Sequence, residues 1–230
     1  MQPESYFSHV RDTFREKGNP EIAQMQMWYM RHQFDFFGLK MPQWMALTKE
    51  IHRQSGLPKG DDLKTLARQC FNDDHREMQY FALETVQKTL AGQDPDFVYF
   101  LEELIRTKSW WDTVDWIAKL VGMHFRRFPE LTKPVTEVWM ATDNIWLQRV
   151  CLIFQLMYKE ETDKALMFAY IRKLSGSKEF FIQKAAGWAL RQYSKTDPEA
   201  VVDFVQNNRL APLSRREALK WIKKQESKGQ

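Results

Sequence analysis

Apolar residues recur along this chain at three- and four-residue spacings, segment after segment, which is the period of a helix packed on one face. In DPDFVYFLEELI, Phe97, Phe100, Leu101 and Leu104 share one stripe. Asp94 before Pro95 predicts a capped start to that helix. TDPEAVVDFVQNN repeats the opening at Thr196, Asp197 and Pro198, and puts Val201, Val202 and Val205 on one face. No run alternates apolar and polar residues between turn pairs, so no strand of consequence is expected. Nine Gly and nine Pro in 230 residues leave few places for hairpins or long loops. Helices of about 10–16 residues on short connections predict an all-α chain.

The helices repeat as pairs. DHREMQYFALETVQKTLAGQDPDFVYFLEELI begins at Asp74, DNIWLQRVCLIFQLMYKEETDKALMFAYIRKL at Asp143, and KEFFIQKAAGWALRQYSKTDPEAVVDFVQNNRL at Lys178. Aligned without gaps, they bring Gln79, Gln148 and Gln183 into coincidence. An apolar helix, a polar break and a second apolar helix follow each. The offsets are 69 and 35 residues, so a further unit is expected to begin near Ser109, where SWWDTVDWIAKL lies. Such a period is the signature of an α-solenoid of HEAT-like helical pairs, in which neighbouring pairs stack because none can bury its apolar face alone. The expectation is a single solenoid domain over residues 1–230, C-shaped, with units recognisable from about residue 74 and a concave basic groove.

Stacked repeats line up equivalent positions. With Ser109 under Asp143 and Lys178, Asp115 falls beside Arg149 and Lys184 on successive helices. Trp111 lies four residues before Asp115, and Trp188 four after Lys184, so both indoles share the faces of those charges. Taken singly, a Trp in a helical repeat is core and an Asp beside cations is an ion pair; Trp110, Trp116 and Trp146 are read as packing. Five residues converging on one line point instead to a binding groove. Its cations could neutralise backbone phosphates, and its aromatic faces could stack on sugars or bases. A carboxylate between aromatic walls can stabilise a positive charge that develops during reaction. Cleavage of an N-glycosidic bond has such a transition state. A purine alkylated at N3 or N7 is already cationic and leaves as a neutral molecule, so no general acid is needed.

Charge sharpens this picture. The formal net charge is only +4, but residues 171–230 carry thirteen Lys and Arg against six Asp and Glu, whereas the first 170 residues carry 21 against 24. A basic end on a near-neutral body suits a polyanion, although a solvated surface is the commoner reason for such a balance. The polar start MQPESYFSHVRD lacks the build of a signal peptide, and no apolar stretch approaches the ~18 residues a membrane span needs. Cys70 and Cys151 lie in apolar helical stretches without a CxxC partner and read as reduced core residues of a cytoplasmic protein. There is no HExxH, no phosphate-cradling glycine loop and no GxSxG elbow, so neither a metal site nor a cofactor is expected. SGS at 175–177 reads as a helix connection.

The stretches FLEELIRTKSWWDTVD, DNIWLQRVCLIFQLMYK, SKEFFIQKAAGWALRQYSKT and VQNNRLAPLSRREALKWIK resemble the HEAT-like repeat DNA alkylation repair family, and within it the alkylpurine DNA glycosylases of the AlkD type. The likeness is dense from about residue 100 to 224 and looser over WYMRHQFDFFGLKMP. It implies catalytic roles for Asp115, Trp111 and Trp188, a DNA-backbone contact at Arg149, and a position near the nucleic acid for Tyr29. After GLKMP the family often carries arginines where this chain has Gln43, Trp44 and Met45; Lys40 is read as the compensating cation. Lys184 and Arg191 are assigned to phosphates. The resemblance implies monofunctional, cofactor-free excision of cationic N3- and N7-alkylpurines from double-stranded DNA, without deep base extrusion. A cytoplasmic, nucleoid-associated monomer is expected. Two other classes compete: a non-catalytic binder of distorted or branched DNA, and a protein–protein scaffold, against which the basic end counts.

Overall fold

A computed structural model of the protein describes residues 2–227. It packs as two compact units, Met1–Ser109 and Trp110–Gln230. The first contains α1 (Pro3–Lys17), α2 (Pro20–Tyr29), α3 (Met41–Ser55), α4 (Gly60–Asn72), α5 (Arg76–Thr89) and α6 (Phe97–Arg106). The second contains α7 (Trp111–Arg127), α8 (Thr132–Ala141), α9 (Ile145–Ile153), α10 (Lys164–Lys173), α11 (Phe180–Tyr193), α12 (Pro198–Asn207), α13 (Pro212–Ala218) and α14 (Lys220–Glu226). Among the described residues there is no strand, only one parallel bridge between Asp35 and His75. The chain is all-α, as the periodicity predicts.

Local sequence sets several of the helix starts. Asp197 caps α12 by accepting from the Ala200 backbone N–H at 3.0 Å, and Asn144 caps α9 by accepting from those of Trp146 and Leu147. One expected boundary moves. Asp94 does not cap α6, which begins at Phe97 after a turn over Pro95 and Asp96. The buried stripe of Phe97, Phe100, Leu101 and Leu104 keeps its place, because burial rather than the cap sets which face turns inward.

The three aligned glutamines have one job. The side-chain amide of Gln148 donates to the Thr142 carbonyl at 2.6 Å, that of Gln183 to the Ser177 carbonyl at 3.0 Å, and that of Gln79 to the Asp73 carbonyl at 3.4 Å. Each spans six residues and ties the loop before its helix back onto the helix. The repeat is therefore a recurring hydrogen bond as well as a pattern of apolar residues. In the second unit the first helices of successive pairs pack in order, α7 on α9, α9 on α11 and α11 on α13.

In the first unit, a buried carboxylate shapes the loop between α2 and α3. Glu77 accepts the backbone N–H groups of Phe37, Gly38 and Leu39 at 2.9–3.1 Å. Burial pushes its pKa above the usual carboxylate range, with those N–H bonds opposing the shift. Gly38 sits at φ +90, and a Cβ there would lie 1.9 Å from the Asn19 carbonyl oxygen, so only glycine fits. The Arg76 guanidinium stacks 3.8 Å from the Phe34 ring and donates to Gln79 and the Lys108 carbonyl. The loop that follows Tyr29 is thus held from beneath.

Cys70 and Cys151 are buried free thiols, both pushed well above the ordinary thiol range by burial. No helix among the described residues is long and apolar enough to cross a membrane. Replacing Gln148 or Gln183 by alanine is expected to leave a loop carbonyl without its donor and to lower stability by about 1–2 kcal/mol. Urea unfolding midpoints check this; unchanged midpoints in both variants would show that the recurring bond is incidental.

Candidate functional site

The second unit carries an open groove of about 390 Å³ lined by Trp111, Asp115, Arg149, Phe180, Phe181, Lys184, Trp188 and Arg191. Its walls follow from helical spacing. Trp111 opens α7 and Asp115 stands one turn later; on α11, Phe180, Lys184 and Trp188 recur every four residues, with Arg191 three further on. Trp110, one residue before the helix, turns the other way. Its ring packs at 5.8 Å from Trp146 and 5.2 Å from Phe181, and those two lie 4.9 Å apart. Adjacent tryptophans thus divide the work: Trp110 anchors the start of α7 in aromatic packing and Trp111 lines the groove.

Asp115 and Arg149 form the centre. The guanidinium grips the carboxylate with two parallel bonds, Nε to Oδ1 at 2.7 Å and Nη2 to Oδ2 at 2.8 Å. Nη1 donates to the Phe181 carbonyl at 2.6 Å, so three successive first helices of the repeat are joined by one side chain. The Arg149 side chain is 4% exposed and that of Asp115 is 19% exposed. Burial raises the Asp115 pKa above the ordinary carboxylate value, and Arg149 opposes that rise.

Three of the five N–H donors of Arg149 are turned onto the Asp115 carboxylate and the Phe181 carbonyl, and the side chain has almost no surface of its own. The alignment put Asp115, Arg149 and Lys184 on one line, and the first two do meet. Lys184 instead reaches onward to Glu217 on α13, with Nζ 2.9 Å from Oε1, and Arg191 takes the other oxygen at 2.5 Å. Glu217 is buried, which drives its pKa up, but Lys184, Lys220 and Arg191 outweigh this and hold it below the usual range. Lys184 and Arg191 still line the groove.

Tyr29 and Lys40 belong to the first unit. They line an apolar hollow there with Met25, Met41, Trp44 and Tyr80. Tyr29 is 64% exposed at the end of α2, and Lys40 precedes α3. Sequence reasoning missed three groove-related residues. Phe180 and Phe181 stand four and three residues before Lys184, and the spacing rule applied to Trp188 would have found them. Glu217 lies 33 residues after Lys184, close to the repeat offset, so its signal was present in SRREALKW.

The match to known proteins spans both units. The model of the DNA alkylation repair enzyme family matches residues 10–222. The chain belongs to that family. Among solved structures, one described as a predicted DNA alkylation repair enzyme from Enterococcus faecalis superposes with a TM-score of 0.85 at 33% identity, covering 89% of this chain and 96% of that one. No curated protein matches. Family membership supports a role in DNA repair, and it makes the groove the first place to look for the chemistry.

Replacing Arg149 by glutamine removes the influence that holds the Asp115 pKa down, so burial then drives the carboxyl further up. A folded pKa raised above the unfolded ~3.9 gives stability that is complete below that value and is lost as pH rises through the folded pKa. The variant is therefore expected to be about 3 kcal/mol less stable near neutrality, with a deficit that shrinks on acidification. Urea midpoints of both proteins between about pH 4 and 7 test this; a deficit independent of pH would mean that Arg149 does not control the ionisation of Asp115.

Proposed function

We propose that this protein is a DNA glycosylase that hydrolyses the N-glycosidic bond of cationic N3- and N7-alkylated purines in duplex DNA. The observation that carries the reading is the Asp115 carboxylate, partly shielded from water, fixed by Arg149 and set in a groove walled by Trp111 and Trp188. As the bond to the alkylated base lengthens, the deoxyribose gains oxocarbenium character. A nearby carboxylate stabilises that charge, more strongly where indole rings lower the local dielectric. The base departs neutral, so it needs no proton. Arg149 occupies one lone pair on each oxygen of Asp115, and a carboxylate offers about four, so lone pairs remain to orient the attacking water. The water adds to the sugar carbon, loses its proton to solvent and leaves an abasic site.

In this reading Trp111 and Trp188 frame the lesioned nucleotide, and Phe180, 55% exposed at the rim, extends the aromatic wall. Arg149 is a positioning residue that keeps Asp115 ionised and aimed. Lys184 and Arg191 are left to hold backbone phosphates, and Tyr29 and Lys40 to contact nucleic acid from the first unit. An open groove suits 3-methyladenine and 7-methylguanine and leaves room for bulkier adducts. No cofactor has a role in the reaction so written, and the protein acts as a monomer in base excision repair.

Incubation with methylated duplex, followed by chromatography of the released bases, tests the proposal. The wild-type protein is expected to release 7-methylguanine and 3-methyladenine. Asp115→Asn should slow release by about 10²–10³-fold, the cost of losing a preorganised electrostatic partner, while duplex affinity stays within about twofold because the substitution leaves the phosphate-facing cations in place. Equal rates would remove Asp115 from the chemistry. Tight binding of distorted duplex by the wild-type protein, with no alkali-labile sites formed, would assign the protein to the non-catalytic DNA binders.

A further inference from the structure

Two of the groove's cations start far apart and end on one carboxylate. Lys184 and Arg191 are seven residues apart on α11, which places their Cα atoms ~10 Å apart along the helix axis. Each nevertheless reaches its own oxygen of Glu217, at 2.9 and 2.5 Å. The Glu217 side chain is only 5% exposed, whereas those of Lys184 and Arg191 are 38% and 28% exposed. The anion therefore lies behind the cations, with the cations on the groove side.

The placement of Glu217 is built into the packing of α11 on α13. A Cβ on Gly187 would meet the Glu217 Cβ at 2.6 Å and the Ser214 carbonyl oxygen at 2.8 Å, so the two helices touch where only glycine permits it. Ser214 Oγ donates to the Gln183 carbonyl at 2.8 Å and fixes the same contact. Lys184, Gly187 and Arg191 share one face of α11, and Glu217 enters between the two cations.

We propose that Glu217 is a positioning residue that gathers Lys184 and Arg191 into one preorganised two-cation clamp for a phosphate of the DNA backbone. Long cationic side chains lose conformational freedom when they seize an anion, and a buried counter-charge that restrains them beforehand removes much of that cost. The clamp rests on the reading of the groove as a DNA site. Its distinguishing consequence runs against simple electrostatics. Removing an anion from a DNA-binding groove should tighten binding if charge alone mattered, whereas here it should weaken binding, because the two cations are released from each other.

The test measures affinity for an undamaged duplex by fluorescence anisotropy between about 50 and 200 mM salt, where phosphate contacts are most visible. Glu217→Gln is expected to bind roughly tenfold more weakly, as for the loss of one charge-assisted contact. Its dependence of log affinity on log salt should be shallower by about one. Adding Glu217→Gln to a Lys184→Gln, Arg191→Gln background should cost nothing more. Equal or tighter binding with a steeper salt dependence overturns the proposal, as does the same further loss in that background, which would mark Glu217 as merely structural. Should circular dichroism show Glu217→Gln unfolded, the wild-type protein carries the test. Bound duplex is expected to slow acetylation of Lys184 by acetic anhydride, and unchanged reactivity overturns the clamp. A wild-type protein with no duplex affinity overturns both this inference and the glycosylase reading; binding without these Glu217 or Lys184 effects overturns this inference alone.

Discussion

The bond between Asp115 and Arg149 is possible because the chain returns to the same register every 34 or 35 residues. Packed helices lie 8–10 Å apart, a gap that a short acid and a long base can bridge only from matching positions. The stacking of α7, α9 and α11 supplies those positions, and the apolar faces that drive the stacking are the reason that it happens at all. A shift of one residue in either helix would rotate one partner by about 100° and take the carboxylate off the fork. Site and scaffold are thus one constraint: the burial that holds the helices together also brings a carboxylate into partial shelter and supplies the guanidinium that makes the shelter tolerable.

Charge along this line is balanced more closely than the net charge suggests. Asp115 is met by Arg149, and Lys184 by Glu217, so these four side chains on successive first helices sum to neutrality. The basic character of the C-terminal stretch resides elsewhere, in residues such as Arg209, Arg216, Lys223 and Lys224. Within the groove each charge is paired with a counter-charge from a neighbouring helix, and Trp111, Trp188 and Phe180 supply its aromatic surface.

Much of this was legible before any coordinates. The helical period, the glutamine-marked repeat, the cap at Asp197 and the grouping of Trp111, Asp115, Arg149, Lys184 and Trp188 all follow from local spacing, because helix geometry and stacking turn sequence separation directly into position. The α6 boundary did not, since Asp94 before Pro95 reads as a cap and the chain makes a turn there instead. Glu77 was equally hidden. Its three backbone donors lie 38–40 residues away in a loop whose shape no propensity encodes.

By itself the sequence determined which residues become helical, which faces turn inward and which side chains occupy equivalent places in successive repeats; these are local or periodic properties, carried by neighbours three, four or about 35 residues apart. Only the tertiary structure decided who pairs with whom. Arg149 chose a carboxylate and a backbone carbonyl, and Lys184 turned away from that pair toward Glu217. The choice depends on which counter-charge lies within reach once the helices have closed to contact, and distances of a few ångströms between segments far apart in the chain are settled by the sum of all the packing around them.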